Sequence, residues 1–179
     1  MYPYLRLFLH AARARRAPRM EPLATFHSSL ICWPWDIDPW KELNNGRTLT
    51  LYDLGRIPLA LRSGLVSVLE RRGWGLTVAG TAIRYRRRVR MFDRLDLYSR
   101  VIGWDHRFVY IEQSLWKRTS GECASQAILR TAAVGRDGIV PPAEIMKEFD
   151  PKLVQPELPD WVRAWIAAED QRPWPPRRD

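Results

Sequence analysis

Apolar residues recur at steps of three and four over residues 44–70, a pattern typical of one long helix with a continuous apolar stripe. Pro58 removes one backbone hydrogen bond, so we expect the helix to kink or split there, and Gly73 favours a stop at the end. An apolar stripe of this length has to be covered by another element of the same domain. The stripe consists of Leu51, Leu54, Ile57, Leu61, Leu65, Val68 and Leu69.

The covering element is predicted from residues 74–136, where apolar and polar residues alternate in runs separated by the turn segments MFDR, WDHR and TSGE. These runs predict four strands, and connections this short join antiparallel neighbours. A fifth strand is predicted over residues 25–35, and RDG at 136–138 is expected to end the sheet. The predicted fold is therefore α+β, a curved five-stranded antiparallel sheet wrapped around the helix. Two C-terminal helices should follow, PPAEIMKEF and one capped by Asp160.

The composition suits one domain, since 179 residues with 46% hydrophobic residues can bury a full core. The two cysteines are too few for a disulfide scaffold, and together with three histidines they show no metal-ligand spacing. A reducing, cytoplasmic location is expected. The net charge of +9 favours polyanions such as nucleic acid, anionic lipid or the phosphates of a nucleotide-tailed substrate. Nucleophile-elbow, P-loop and dinucleotide-binding patterns are missing from the sequence.

The first twenty residues hold five arginines and no acid. A helix that begins at Pro3 would carry Leu5, Phe8, Leu9 and Ala12 on one side. This helix is too short to span a bilayer, so three alternatives stay open: peripheral contact of residues 1–20 with a membrane, an organelle-targeting peptide, or a terminal helix packed on its own domain. We expect an arm at 1–23, a domain at 24–150, and a C-terminal helix with a Pro/Arg-rich tail at 151–179.

The segment WPWDIDPWKELNNGR, residues 33–47, places acids among tryptophans directly before the long helix. If Asn44 or Asn45 caps the helix, the amides of Asn45, Gly46 and Arg47 point at whatever occupies the adjoining groove. Those amides are suited to a carbonyl oxygen that gains negative charge, and Asp38 is predicted to face the same carbonyl as base or nucleophile. Asp36 is expected to be a surface or capping acid. The tryptophans, Trp40 among them, offer an apolar wall beside Asp38.

The run from Asp38 through LNNGRTLTLYDLGR resembles the D-x-x-x-H-V-N-N-A/G-R-Y signature of hotdog-fold acyl-CoA thioesterases of the 4-hydroxybenzoyl-CoA thioesterase type. The likeness extends through RSGL, RYRRRVRMFDRLDLYSRVIGWD and DGIVPPAEI, roughly residues 24–149. It is especially similar to the branch of thioesterase-superfamily-member-6-like proteins.

This resemblance implies a hotdog fold, a homodimer with a tetramer left open, and a substrate lying along the dimer interface near the helix start. It also implies hydrolysis of acyl-CoA by a loop acid without a metal or organic cofactor. Asp38 falls on the family's acid, and Asn44 and Asn45 fall on its asparagine pair. Glu42 and Thr48 stand where the motif has histidine and tyrosine. Glu42 is therefore either a second proton donor or base, or a sign that the chemistry has been lost.

Arginines alternate along the predicted strand at positions 84, 86, 88 and 90, so they are expected to share one face. That face is either solvated or brings Arg84, Arg86 and Arg88 to the phosphates of coenzyme A. Two rival functions remain. One is a protein of the same fold that binds acyl chains or acyl-CoA without hydrolysis. The other is a basic module for anionic membrane or nucleic acid, although the aromatic-plus-basic motifs of RNA-binding folds are missing and nucleic acid is not expected.

Overall fold

The structure is a computed structural model that describes residues 2–149, 151 and 153–178. The predicted domain boundary at residue 150 lies outside the described residues. The helices are α1 (Tyr4–Arg16), α2 (Asn45–Ser63), α3 (Leu65–Arg72), α4 (Pro142–Phe149) and α5 (Asp160–Gln171). The strands are β1 (Phe26–Ile31), β2 (Gly75–Tyr85), β3 (Arg94–Trp104), β4 (Val109–Lys117), β5 (Cys123–Gly135) and β6 (Gly138–Val140).

The strands form one antiparallel sheet in the order β1-β3-β4-β5-β2, and β6 pairs with β5. The α+β fold with its curved antiparallel sheet is confirmed. The expectation that RDG ends the sheet is wrong, because the described residues include a sixth strand after it. Arg136 and Asp137 form a two-residue turn into β6, and the following Gly138 has a φ of +111°, a conformation that residues with a Cβ rarely adopt.

The long helix is split at Gly64, so the expected kink or break at Pro58 is wrong in its position. Pro58 lies inside α2 and leaves the carbonyl of Leu54 without its helical donor. The hydroxyl of Ser28 on β1 donates a long hydrogen bond to that carbonyl (3.5 Å), which offsets part of the loss. Gly64 instead takes a φ of +87°, which ends α2 and starts α3 at a new angle. Gly73 ends α3 as predicted.

Leu51 and Leu54 of the predicted stripe are buried against the inner face of the sheet, whereas Ile57 and Leu61 are only half-buried. Leu51 and Leu54 on the helix pack in one core cluster with Leu95, Leu97 and Leu115 on β3 and β4. Each such leucine contributes roughly 1.5–3 kcal/mol relative to leaving it exposed. The outer face of the sheet is covered in part by α5, which buries Val162 against it. The core therefore fixes where α2 begins, and with it the geometry of the loop that precedes the helix.

Gly55 lets α2 approach the sheet closely, and we expect Gly55→Ala to destabilise the fold by about 1–2 kcal/mol. In an open helix this change would stabilise by about 1 kcal/mol. Here the new Cβ would collide with the Ser99 hydroxyl and lie 2.8 Å from Leu97 Cδ2. Ser99 cannot move away freely, since its hydroxyl accepts a hydrogen bond from Gln113 Nε2 at 2.7 Å.

Denaturant unfolding would measure this effect, with Gly46→Ala as the matched control. A Cβ at Gly46 meets no atom closer than 3.4 Å, so that variant should be at least as stable as the wild type. Equal stabilities of the two variants would contradict the close approach of α2 to the sheet.

The amino-terminal helix α1 packs on α2, with Ala14 buried and Leu7 against the main core cluster. The predicted start after Pro3 and the shared side of Leu5 and Phe8 agree with the structure, and both side chains point outward into solvent. No helix of the described residues has the length and apolarity needed to cross a membrane.

The last helix begins at Asp160, and the expectation that this residue caps it is wrong. Pro159 occupies the cap position and no side chain caps the helix start. Asp160 lies within the first turn and forms an ion pair with Arg163 instead. An acid in the first turn still complements the positive end of the helix dipole.

Candidate active site at the start of α2

Asp36 is the buried acid of the 33–47 segment, so of the two expected roles the surface acid is wrong. The capping role agrees with the structure, because Asp36 accepts from the Trp33 amide at the start of a short 3-10 helix, Pro34–Asp36. The Asp36 side chain has no exposed area. Oδ1 accepts hydrogen bonds from Arg6 Nη2 and Arg47 Nε, each at 2.7 Å, and Oδ2 accepts from Arg6 Nη1 and the Trp33 amide, each at 3.0 Å. Burial by itself would raise the pKa of Asp36, but the hydrogen bonds from Arg6 and Arg47 outweigh it and lower the pKa. This carboxylate ties α1 and α2 to the loop between them.

Asp38 sits in a turn that its own side chain stabilises. Oδ1 accepts from the amide of Trp40 at 2.9 Å and more weakly from that of Glu42 at 3.4 Å. The Asp38 amide donates to the Glu42 carbonyl at 2.9 Å, and the Lys41 amide donates to the Asp38 carbonyl at 3.0 Å. Oδ2 has no hydrogen-bond partner in the part of the chain that the structure describes. The side chain is half-buried and is not among the residues that line the cleft described below, so its catalytic role stays a prediction.

The helix start has the predicted cap. Asn44 is the N-cap, its Oδ1 accepts from the Arg47 amide at 3.0 Å, and its own amide donates to the Asp36 carbonyl at 2.9 Å. The amides of Asn45 and Gly46 have no hydrogen-bond partner among the described residues, and both residues are exposed. The positive end of α2 therefore presents two free N–H donors to solvent or to a ligand.

A cleft of about 270 Å³ opens beside this helix start, between the first turn of α2, the end of β2 and the start of β5. Glu42 is the acid in its wall, and Glu42 Oε2 pairs with Arg88 Nε at 2.9 Å. The cleft therefore combines the start of α2 at Asn45, one carboxylate and a cationic rim. Its lining residues are Glu42, Leu43, Asn45, Thr48, Tyr85, Arg86, Arg87, Arg88, Val89, Ala124 and Ser125.

The alternating arginines do not share one strand face, because β2 ends at Tyr85. Beyond it the chain crosses toward the helix start, where Val89 is buried and its carbonyl accepts from the Leu43 amide at 2.8 Å. Arg86 and Arg88 consequently line the cleft, as does Arg87, which the sequence did not single out. Arg84 instead lines a groove on the outer face of the sheet with α5. The arginines that were predicted to bind phosphate therefore lie in two places, Arg86 and Arg88 at the cleft and Arg84 in the outer groove.

Trp40 is 76% exposed and is not among the residues that line the cleft. Trp33 and Trp35 stack on each other with ring centroids 5.4 Å apart, and Phe92 meets Trp33 edge-on. Trp33 and Trp35 therefore form a cluster with Phe92, and none of the three tryptophans is among the residues that line the cleft.

Tyr85 and Ser125 are two further wall residues that were not predicted from the sequence. Tyr85 donates through its hydroxyl to the Asn45 carbonyl at 3.2 Å, and Ser125 Oγ lies 3.0 Å from the buried hydroxyl of Tyr52. Tyr85 and Ser125 are paired in register across β2 and β5, which brings positions forty residues apart to one spot. Sequence alternation alone cannot reveal that pairing, because it depends on which strands become neighbours.

The chemistry that this arrangement supports is stabilisation of a negatively charged oxygen next to a carboxylate. Free amides at a helix start hold an oxyanion, and one donor of this kind typically changes a rate by a factor of about a hundred to a thousand. Arginines at the rim suit phosphate groups. Across residues 2–149, 151 and 153–178, no group of three or more His, Cys, Asp or Glu side chains is arranged to hold a metal ion.

Comparison with known proteins bears on the family and the fold. The profile of the Thioesterase-like superfamily matches residues 32–166, well over half of the 179 residues. Protein THEM6 of Xenopus laevis is 29% identical over 168 residues, covering 93% of this chain and 80% of that protein. Protein THEM6 of Drosophila melanogaster is 25% identical over 141 residues, covering 77% and 70%.

Solved structures of low sequence identity share the fold. The probable thioesterase YbaW from Escherichia coli superimposes with a TM-score of 0.64 at 15% identity, covering 69% of this chain and 98% of that one. Slr0204, a 1,4-dihydroxy-2-naphthoyl-CoA thioesterase from Synechocystis, superimposes with a TM-score of 0.61 at 11% identity, covering 73% and 98%. At these identities the likeness establishes the hotdog fold.

Proposed function

Because the chain belongs to the Thioesterase-like superfamily, we propose that it hydrolyses acyl-CoA thioesters to a free acid and coenzyme A. The observation that carries this proposal is the pair of unpartnered amides of Asn45 and Gly46 at the start of α2, where Asn45 lines a cleft that has Glu42 in its wall. A thioester carbonyl bound to these amides is polarised, and the charge of its tetrahedral intermediate is stabilised. The Synechocystis neighbour is itself named as a CoA thioesterase, which supports the substrate class.

The proposed reaction needs one water and one carboxylate. Asp38 removes a proton from the water as its oxygen bonds to the thioester carbon, and the carbonyl oxygen becomes an oxyanion on the two amides. The intermediate then collapses, the carbon–sulfur bond breaks, and the sulfur of coenzyme A takes the proton back from Asp38. The balance is one thioester and one water giving one carboxylic acid and one thiol, and the cycle uses no metal or organic cofactor.

Two contacts favour Asp38 over Glu42 as the base. The turn amides hold Oδ1 of Asp38, so the carboxylate has a fixed orientation while Oδ2 stays free. Glu42 is already paired with Arg88, and in this proposal it orients that arginine at the rim. The acyl-CoA phosphates then meet Arg86 and Arg88. Arg84 lies in the outer groove and is not part of the proposed site.

The proposal includes a homodimer formed along the edge of β2, which would extend the cleft toward Asp38. This eleven-residue strand pairs with β5 on one side, and its other edge has no partner strand in the described chain. Leu76 and Val78 on it are each more than 40% exposed. A long apolar edge of this kind readily pairs with a second copy.

Val78→Lys should therefore weaken self-association by at least about tenfold in Kd, because a lysine ammonium would be buried or repelled at the paired edge. Light scattering over a dilution series would measure this, with circular dichroism to show that the sheet is retained. Val154→Lys, at a position 80% exposed and far along the chain from β2, is the matched control. A variant at position 78 that dimerises as well as the control would remove β2 from the proposed interface.

A panel of acyl-CoA thioesters with detection of the released thiol tests the proposed function directly. We expect turnover of at least one class of substrate, and chelating agents should leave the rate unchanged. Saturable binding of acyl-CoA without thiol release across the panel would instead favour the non-catalytic binding protein of the same fold.

A further inference from the structure

The outer side of α1 is an apolar surface that nothing in the described chain covers. Tyr4, Leu5, Phe8 and Leu9 are 71%, 73%, 65% and 45% exposed. They lie within the first two turns and project to one side, as residues spaced by three and four do on a helix. Four large apolar side chains in one short stretch are more than the scattered exposure usual for a soluble surface.

This surface is held outward by the way α1 is docked. On the opposite side of the helix Ala14 is buried, Leu7 meets the core, and Arg6 forms two hydrogen bonds with the buried Asp36. Tyr2 adds a hydrogen bond from its hydroxyl to Asp53 Oδ2 at 2.7 Å. Because these contacts use the inner side, the apolar side chains cannot turn onto their own domain without breaking them.

The same outer side becomes cationic in its last turn. Arg13, Arg15 and Arg16 are exposed there, and none has an acidic partner within ion-pair distance among the described residues. No acid occurs in the first twenty residues to neutralise them. The helix thus presents an apolar patch followed directly by three unneutralised guanidinium groups, which is the composition of helices that lie in a bilayer interface.

We propose that this surface, Tyr4 to Leu9 with Arg13 to Arg16, docks the protein onto an anionic lipid bilayer. The apolar side chains enter the boundary between headgroups and acyl chains, and the arginines meet the lipid phosphates. A two-fold contact between the α1 surfaces of two copies would bring two sets of these arginines into one interface, and α1 has no acid to pair them. A nucleic acid would meet the arginines but leave the apolar patch in water. The docking goes beyond the proposed hydrolysis and does not depend on it.

Flotation of the full chain with vesicles tests this docking. Vesicles of phosphatidylcholine with about a third phosphatidylglycerol should bind the protein, and vesicles of phosphatidylcholine alone should bind it at least tenfold less. Since each basic residue near an anionic surface strengthens binding about fivefold, Arg15→Gln with Arg16→Gln should weaken binding by roughly 10–30-fold. Leu5→Ser with Phe8→Ser should weaken it at least as much.

Matched controls are available at the other end of the chain. Arg177→Gln with Arg178→Gln removes the same charge, and Val154→Ser with Trp174→Ser removes two exposed apolar side chains. Both control variants should bind vesicles within about twofold of the wild type. Equal losses in the control and α1 variants would overturn the proposal, and so would absence of wild-type binding to the anionic vesicles. A change of oligomeric state in the α1 variants with unchanged vesicle binding would also overturn it, in favour of a second copy.

Discussion

Asp38→Asn is expected to lower the rate of acyl-CoA hydrolysis by about a hundredfold to ten-thousandfold, the usual contribution of a positioned general base. An asparagine oxygen can still accept from the Trp40 amide, so the turn should keep its shape and the variant should fold like the wild type. The loss should appear in kcat with little change in KM, because the proton transfer takes place only in the transition state. Steady-state thiol release over a range of substrate concentrations would measure both constants.

Glu42→Gln is the matched comparison, since it removes the neighbouring carboxylate. It breaks the ion pair with Arg88, so we expect a rise in KM of less than about tenfold and a kcat close to that of the wild type. The reverse result, with the large kcat loss at position 42, would move the base to Glu42. Full activity of both variants would exclude a carboxylate of this loop from the mechanism.

Asp36→Asn should destabilise the protein by about 3–5 kcal/mol, because it removes the charge of a fully buried carboxylate that pairs with both Arg6 and Arg47. For a chain of this size that corresponds to a fall in Tm of roughly 6–20 °C. Thermal and denaturant unfolding would measure it. Asp160→Asn, which breaks an ion pair at a carboxylate that is 93% exposed, is the control and should cost less than about 1 kcal/mol.

The loss of stability caused by Asp36→Asn should depend on pH. The pKa of Asp36 in the folded protein lies below its ordinary value of 3.8, so its stabilisation is fully present above that value and is lost as the pH falls through the folded pKa. The stability difference between the wild type and Asp36→Asn should therefore be constant near neutrality and shrink in strong acid. A difference independent of pH throughout would show that the charge of Asp36 does not supply the stabilisation.

The parts of the fold that were predicted correctly depend on local sequence. The periodicity of α2, its Asn44 cap and the Gly73 stop each involve residues within a few positions of one another. Strand alternation is local in the same sense. Gly64 was missed as the break because Pro58 is the stronger local signal, while the Ser28 hydroxyl that helps α2 tolerate proline comes from a distant strand.

The site was predicted less completely because long-range contacts define it. Burial of Asp36 depends on Arg6, thirty positions away, and Asp36 looks from its neighbours alone like any other loop acid. Arg86 and Arg88 leave the strand because Val89 is drawn into the core beside Leu43. Ser125 reaches the cleft only through the pairing of β5 with β2. The acid-rich segment stays a prediction as the functional site, whereas the orientation of each acid could be read only from the fold.

The Asp36 carboxylate connects α1 with the start of α2. Asp36 accepts hydrogen bonds from Arg6 of α1 with both oxygens and from Arg47 of α2 with one of them. Arg47 lies in the same helical turn as the amides that would hold the reacting carbonyl. If α1 moves away, the buried Asp36 carboxylate loses Arg6, one of its two cationic partners. The loop that carries Asp38 then has to rearrange around the charge that Arg6 no longer compensates. Removing the first sixteen residues should therefore perturb the start of α2, because Arg6 on the arm holds the Asp36 carboxylate next to it.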